Sequence, residues 1–269
     1  MKTTLLSLLS VVGLLAPAAL AAQTDTTKIQ IGTTKVIIVD EDTSAADLAN
    51  EPEDLEAEKT HWAGLDLGVN VLLNSDSQTN LGEESDWLDL QYERSLSWRF
   101  NLFEEKIRIA GDYVGLVTGL GLTYNSYGFK NETTVISNTP AFEDTTFGVI
   151  DTVLQFSKTK LRATYLNVPL LLELNTSSDP KKSFHIAFGA IGGWKIGSIT
   201  KQHYELDGSN YKVRAKQDFN LTPLTLDLTA RVGYRNFTLF ATYGLTPLFR
   251  DGKGPEVYPV TMGLAVAPW

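Results

Sequence analysis

The sequence lacks cysteine, contains only two methionines and carries no excess of positive charge. Without cysteine, no disulfide framework can stabilise the chain and no lipid-modified cysteine can anchor it. The formal net charge of -9 argues against a nucleic-acid partner, which would require a basic stripe. A hydrophobic content of 43% excludes a wholly disordered chain, and the 21 glycines, 12 phenylalanines and 10 tyrosines favour strands and turns over packed helices.

The N-terminus has the layout of a secretory signal peptide. Lys2 precedes an apolar run from Leu5 to Leu15, and small residues follow, ending Ala19-Leu20-Ala21. The run is too short to be a stable membrane anchor. An ordinary buried N-terminal helix is the alternative, but it would not explain why a charged residue, an apolar run and small residues follow one another in this order. We therefore predict a signal peptide over residues 1–21, cleaved after Ala21 or Ala22.

Residues 22–60 form a predicted acidic periplasmic extension. Nine carboxylates and no Lys or Arg occur between Asp40 and Glu58, so self-repulsion keeps this stretch extended and solvated. Before it, Lys28–Gly32 and Lys35–Val39 flank Thr33-Thr34 in a weak hairpin-like pattern. A lone two-stranded hairpin is marginal in water, so this piece needs a partner or the end of the following domain to become ordered.

From residue 61 to residue 269 the sequence predicts one all-β domain. Eight segments alternate apolar with small or polar residues: 63–73, 96–102, 114–124, 166–174, 184–195, 224–234, 237–245 and 258–266. A soluble sandwich also alternates. Here, however, the polar faces are rich in Gly, Ser, Thr and opposite charges, and aromatics lie near the ends of the apolar faces. These features predict an eight-stranded antiparallel up-and-down transmembrane β-barrel with an apolar outer face.

The connections between the predicted strands alternate in length. Long outer loops are expected at 74–94, 125–160, 197–220 and 246–257. Short inner turns are expected at 103–112, 175–183 and 235–236. Bacterial outer-membrane barrels have long outer loops and tight periplasmic turns, so both termini should lie in the periplasm. We therefore expect the cell outer membrane as the location and outer-membrane lipid as a partner.

The last predicted strand ends the chain with Ala267-Pro268-Trp269. An alternating strand closed by a C-terminal aromatic resembles the element by which the barrel-assembly machinery recognises its clients, so that machinery is an expected partner during biogenesis. Pro268 departs from the usual form, because it removes a ladder donor near the end.

Three stretches resemble the PorT-like outer-membrane β-barrel family of Bacteroidetes. They are His61–Leu65, the run Tyr-Leu-Asn-Val-Pro-Leu-Leu-Leu-Glu over residues 165–173, and the Gly-rich fifth strand. The likeness spans roughly Trp62 to Trp269, and the motifs are short. The resemblance implies the fold and the membrane. One family member serves a protein-secretion system, a role that does not carry over to this chain on these motifs alone.

No residue pattern points to enzyme chemistry, to a cofactor or to a metal. His61, His185 and His203 fall on separate elements, and we expect them not to converge as a triad or metal site would require. No Gly-rich phosphate loop, zinc-type spacing or nucleophile elbow occurs. The sequence therefore predicts a non-enzymatic protein.

Four charged residues are predicted to point into the lumen near the periplasmic ends of their strands: Asp66, Arg99, Glu173 and Arg231. Buried charges are costly without partners, so mutual pairing is expected, and Asn70, Lys195 and Asp227 could extend the network outward. An eight-stranded barrel is narrow enough for side chains to fill. Two interpretations stay open: a structural plug, or a gate that opens when the pairs rearrange.

The outer loops carry aromatics beside acids, including Trp87, Tyr127, Phe129, Phe142 and Phe147. These aromatics could form a recognition surface or pack on one another above the barrel. The leading hypothesis is a structural or interaction protein that uses its extracellular loops. The second is a transport or protein-secretion accessory whose acidic extension docks a periplasmic partner, and an enzyme is the third.

Overall fold

The computed structural model describes residues 26–31, 34–39, 61–137, 145–150, 155–178, 182–206 and 208–267. The predicted signal peptide, the whole acidic stretch from Asp40 to Glu58, Phe142 and the C-terminal Pro268-Trp269 lie outside these residues. The chain divides into two compact units, Met1–Asp54 and Leu55–Trp269. In the first unit, strands β1 (Thr26–Ile31) and β2 (Thr34–Val39) pair as an antiparallel hairpin.

The second unit consists mainly of antiparallel strands. They are β3 Gly64–Leu73, β4 Leu96–Ala110, β5 Val114–Gly128, β6 Thr133–Ile136, β7 Phe147–Ile150, β8 Gln155–Asn175, β9 Phe184–Leu206, β10 Ser209–Lys216, β11 Leu224–Tyr234, β12 Phe237–Gly244 and β13 Tyr258–Val266. The loop between β3 and β4 holds two short 3₁₀ helices, Glu83–Leu88 and Tyr92–Arg94. Among the described residues, no helix has both the length and the apolar character needed to cross a membrane.

Eight strands close into a ring in the order β9, β11, β12, β13, β3, β4, β5 and β8, with β8 returning to β9. Every pairing in the ring is antiparallel, and the closing pair runs from Gln155↔Glu205 to Asn175↔His185. The predicted eight-stranded barrel is confirmed, including the phase of the fourth predicted strand. In that strand Leu171 and Glu173 point into the lumen while Val168 and Leu170 point outward.

The barrel is apolar outside and polar inside. Large side chains such as Phe100, Trp194, Phe237 and Met262 are exposed on the outer face. Asp66, Asn70, Arg99, Glu173 and Arg231 are buried inside. A water-soluble sheet would expose its polar face instead, so this pattern suits a lipid-facing surface around a polar lumen.

The prediction of an inner turn over residues 103–112 is wrong. β4 continues to Ala110, and the turn occupies only residues 111–113. The pairing of β4 with β5 shifts register between Asn101 and Phe103. Because this bulge reverses which residues point outward, the alternation breaks at the adjacent Leu102 and Phe103 and hides the rest of the strand.

The structure also adds strands where long outer loops were expected. β8 and β9 have 21 and 23 residues, about twice the 9–11 needed to cross a membrane. Their outer halves continue beyond the ring with β10 as a three-stranded sheet. β6 and β7 form a separate hairpin. Much of the predicted loop sequence is therefore sheet outside the bilayer.

Candidate functional site

The lower half of the lumen, at the end that carries the short turns, holds an ion pair between Asp66 on β3 and Arg231 on β11. Arg231 Nη1 donates to Asp66 Oδ2 at 2.8 Å, and Nη2 donates to Oδ1 at 3.2 Å. Both side chains are at most 2% exposed. The two strands are separated in the ring by β12 and β13, so the pair reaches across the lumen rather than along its wall. A bidentate geometry is the strongest form of this interaction.

Arg231 is also packed against two aromatic rings. Its guanidinium carbon lies 5.2 Å from the ring centre of Trp62 and 5.6 Å from that of Phe240. Its Nη2 reaches the main-chain carbonyl of His61 at 3.5 Å. Trp62 is only 1% exposed and belongs to an apolar cluster with Val117, Leu171, Ala187 and Ile191. The residues just before β3 thus enter the barrel and fill it.

Arg99 lies beside this pair, and among the described residues it donates no hydrogen bond to a carboxylate. It is the cross-strand neighbour of Asp66, but its Nη1 donates to Thr242 Oγ1 at 2.8 Å. Its guanidinium carbon is 5.1 Å from the ring centre of Phe240, the same ring that Arg231 contacts. The lumen therefore neutralises Asp66 with one direct partner and one adjacent cation.

Glu173 forms a second centre, with partners that the sequence interpretation did not include. Its Oε2 accepts the backbone N–H of His61 at 3.3 Å, and its Oε1 accepts Asn175 Nδ2 at 2.8 Å. Lys106 Nζ lies 3.6 Å from Oε1. Lys106 was missed because the expected turn placed it outside a strand. The four predicted lumen residues are thus divided between two centres.

The expectation that the histidines stay apart is wrong for two of them. The rings of His61 and His185 stack at 3.5 Å between centres with an interplanar angle of 13°. His185 Nε2 is 2.8 Å from Thr238 Oγ1, and His61 Nδ1 is 3.5 Å from Glu173 Oε2. Residues just before a first barrel strand can fold back into the lumen, which strand alternation does not reveal. His203 lies toward the other end of β9 from His185.

The space among His61, Glu173, His185 and Arg231 cannot hold a water molecule. Farther out, a cavity of about 30 Å³ lies between Arg99, Asn167 and Asp227. That volume holds only a few waters. In the described part of the chain, no three His, Asp or Glu side chains are arranged to hold a metal ion.

Asn70, Lys195 and Asp227, the three residues expected to extend the network, make separate contacts. Asn70 is fully buried, accepts from Thr261 Oγ1 at 2.8 Å and donates to the carbonyl of Ser126 at 3.3 Å. Lys195 instead binds Asp218 and the carbonyl of Leu221, which follow β10. Asp227 lines the outer cavity. Lys195 therefore ties the wall to the loops and does not extend the lower network.

A second apolar cluster closes the outer end. It joins wall residues with loop aromatics: Leu72, Trp87, Leu88, Tyr127, Phe129, Leu161, Ala163, Tyr165, Phe219, Leu221, Leu248, Phe249 and Val257. The Trp87 ring centre lies 5.9 Å from that of Phe129 and 6.1 Å from that of Phe249. Of the two interpretations of the loop aromatics, packing on one another is the one found for Trp87, Tyr127 and Phe129.

Comparison with known proteins gives a family and two structural neighbours. No curated protein matches the sequence. Two crystal structures of Ail, the attachment invasion locus protein of Yersinia pestis, one of them in complex with the heparin analogue sucrose octasulfate, are 10% identical to this chain. Each covers 76% of this chain, and the matches cover 94% and 98% of Ail with TM-scores of 0.29 and 0.27. The model of the outer membrane protein beta-barrel domain family matches residues 56–250. The chain therefore belongs to the outer membrane protein beta-barrel domain family.

Proposed function

We propose that this protein is a closed, non-enzymatic outer-membrane barrel with a structural or interaction role that it exerts through its extracellular loops. The observation that carries the proposal is the filled lumen. The Asp66–Arg231 pair and Trp62 occupy its lower half, and the apolar loop cluster around Trp87 covers its upper end. A side-chain-filled barrel supports a plug better than a pore.

Conductance across planar bilayers tests the closed state. The wild-type chain should give no steady channels. A variant with both Asp66→Ala and Arg231→Ala removes both members of the ion pair, and it should leak more often than wild type. Leu228→Ala, on the outer face, is the matched control and should behave as wild type does. Steady channels of substantial conductance in the wild-type protein would refute the plug and favour a gated pore.

The loop role predicts that external binding depends on the outer surface alone. A photo-crosslinker at Tyr92, which is 49% exposed in the β3–β4 loop, should give adducts that depend on added external protein. The same group at Tyr234, at the periplasmic end of β11, should not. Identical adduct patterns at both positions would contradict an extracellular interaction role.

A transport or protein-secretion accessory is the second candidate. Two features support it: the nine carboxylates between Asp40 and Glu58, and the β1–β2 hairpin that precedes them. Deleting residues 25–58 while keeping the barrel inserted should abolish co-purification of a periplasmic partner. Unchanged partners after this deletion would count against docking by the extension.

The finer placement of the chain in the PorT-like branch also belongs to this proposal. Its support is the run over residues 165–173, which supplies inward-facing Tyr165, Asn167 and Glu173 to the lumen. Substituting Asn167, whose Nδ2 contacts Thr123 Oγ1, should disturb the lumen wall of this barrel. The folding yield of Asn167→Ala in this chain can be compared with that of the corresponding Asn→Ala variant in a PorT-like barrel. Equal losses would indicate that the position has the same role in both.

A further inference from the structure

The outer halves of β8, β9 and β10 form a sheet with two different faces. Lys160 on β8 is opposite Lys201 on β9, which is opposite Arg214 on β10. On β8 and β9 one face is buried: its residues Thr159, Leu161, Ala163 and Thr200 are at most 8% exposed. Side chains alternate along a strand, so the intervening residues all lie on the opposite, outward face.

Seven cations lie on that outward face, which we name the basic face: Lys158, Lys160, Arg162, Lys201, Lys212, Arg214 and Lys216. They form three rows across the strands, with His203 between Lys158 and Lys212. Strand spacing and rise per residue give a patch of about 10 Å by about 13 Å. In the described residues of these outer halves, Glu205 at the tip is the one carboxylate on this face.

The described residues of the protein do not neutralise these charges. None of the seven cations forms an ion pair in the part of the chain that the structure describes. Like charges directly opposite each other destabilise a sheet. Burial, together with repulsion from Arg162 and Lys158, lowers the pKa of Lys160 to about 8. A bound anion would remove this repulsion.

The basic face is a direct continuation of the lipid-facing surface. Going outward along β8, the outward residues are Val168, Leu166, Thr164 and then Arg162. The Arg162 guanidinium carbon lies 5.2 Å from the ring centre of Tyr124, which belongs to the same outer surface. Aromatic rings of this kind mark the membrane interface. The cations therefore begin at headgroup depth and face sideways over the bilayer.

Protection of a sheet edge explains only part of this pattern. Lysines on an edge strand block association with other sheets. That reason applies to β10, which ends the sheet order, but β8 and β9 have partners on both sides. Lys160 and Arg162 of β8 and Lys201 of β9 have a partner strand on each side and need another reason.

We propose that the basic face binds the phosphate groups of anionic lipid headgroups in the outer leaflet that surrounds the barrel. Arginine offers forked donors to phosphate oxygens, and lysine offers a compact charge, so the mixed set suits several phosphates at once. Binding fixes the outer halves of β8 to β10 on the bilayer surface.

The test measures lipid retained by the intact full chain. Wild-type protein is inserted in bilayers of phosphatidylcholine and lipid A, released gently, and its bound lipid A counted by native mass spectrometry. The face variant combines Lys160→Gln, Lys201→Gln and Arg214→Gln, the central row. The control variant combines Lys130→Gln, Arg250→Gln and Lys253→Gln, loop cations off this face with the same total charge. The face variant should bind lipid A at least about tenfold more weakly than wild type and control.

Two further measurements separate the alternatives. High salt should release lipid A from the wild-type protein, which needs no substitution and holds even if the face variant folds poorly. Binding of dextran sulfate, a soluble polyanion, is measured with the wild-type protein in phosphatidylcholine discs. Equal lipid A retention by the face and control variants overturns the proposal. Tight dextran sulfate binding without any lipid A preference also overturns it, because the partner would then be a soluble polyanion.

Discussion

Arg231 and Asp66 meet across the lumen through two hydrogen bonds of 2.8 and 3.2 Å, although two strands separate them in the ring. Each is the direct partner that lets the other stay charged while buried. Arg231→Met should therefore destabilise the barrel by about 3 to 5 kcal/mol, because it leaves the carboxylate of Asp66 buried without its direct partner. Urea unfolding in lipid vesicles gives this value.

The double variant with Arg231→Met and Asp66→Asn should recover much of that loss, since neither member of the pair is then left charged without the other. Asp112→Asn is the control. Its carboxylate is 48% exposed, 3.6 Å from Arg108 Nε, and its loss should cost less than about 1 kcal/mol. If Arg231→Met lowers the free energy of unfolding no more than Asp112→Asn does, the Asp66–Arg231 pair does not stabilise the barrel.

The stacked histidines depend on a glycine opposite them. A Cβ at Gly233 would lie 2.6 Å from His185 Nε2 and 2.3 Å from the carbonyl oxygen of Phe237. Gly233→Ala should force His185 off His61 and cost about 1 to 3 kcal/mol in unfolding free energy. Gly192→Ala is matched, since its nearest neighbour is 3.8 Å away. Equal unfolding free energies for the two variants would remove the steric argument.

The sequence predicts the barrel well because each membrane strand repeats a two-residue pattern. The faces of β3, β11 and β13 follow it without interruption. Where a bulge shifts the register, as between Asn101 and Phe103, the pattern breaks and the strand is underestimated. Strand existence is thus a local property, whereas strand length depends on pairing.

The lumen was predicted only in part for a related reason. Alternation shows that Asp66, Arg99, Glu173 and Arg231 point inward, but not which strands face each other across the ring. The stack of His61 on His185 depends on a segment that precedes the first strand. The basic face had a visible pattern, Lys-Thr-Lys-Leu-Arg-Ala over 158–163 and Lys-Val-Arg-Ala-Lys over 212–216. Only the strand register shows that Lys160 and Arg214 lie on either side of Lys201.

The outer face can be tested at one strand. Leu228 lies midway along β11 and is 48% exposed on the outer surface. Leu228→Arg should cost about 2 to 4 kcal/mol in lipid vesicles, because a charge at the bilayer centre is poorly solvated. Tyr234→Arg, at the end of the same strand, should cost less than about 1 kcal/mol. Equal costs at both depths would mean that β11 does not cross a bilayer.

Lys160 provides a test of the charge on the basic face in the absence of anionic lipid. Burial and the nearby Arg162, Lys158 and Lys201 lower its pKa to about 8. Since the folded state binds this proton less tightly than the unfolded chain, protonation weakens the fold below pH 8, and the effect fades as the pH rises above 8. Lysine-methyl NMR in phosphatidylcholine discs should show Lys160 titrating near pH 8.

Removing one positive neighbour should move that titration in a known direction. Lys201→Gln takes away a charge directly across from Lys160, so the pKa of Lys160 should rise towards its ordinary value. Lys130→Gln, in a loop and paired with Asp89, should leave the Lys160 titration where it is. A Lys160 midpoint that is the same in wild type and in Lys201→Gln would show that the facing cation does not act on it, and that the rows of the basic face are not electrostatically coupled.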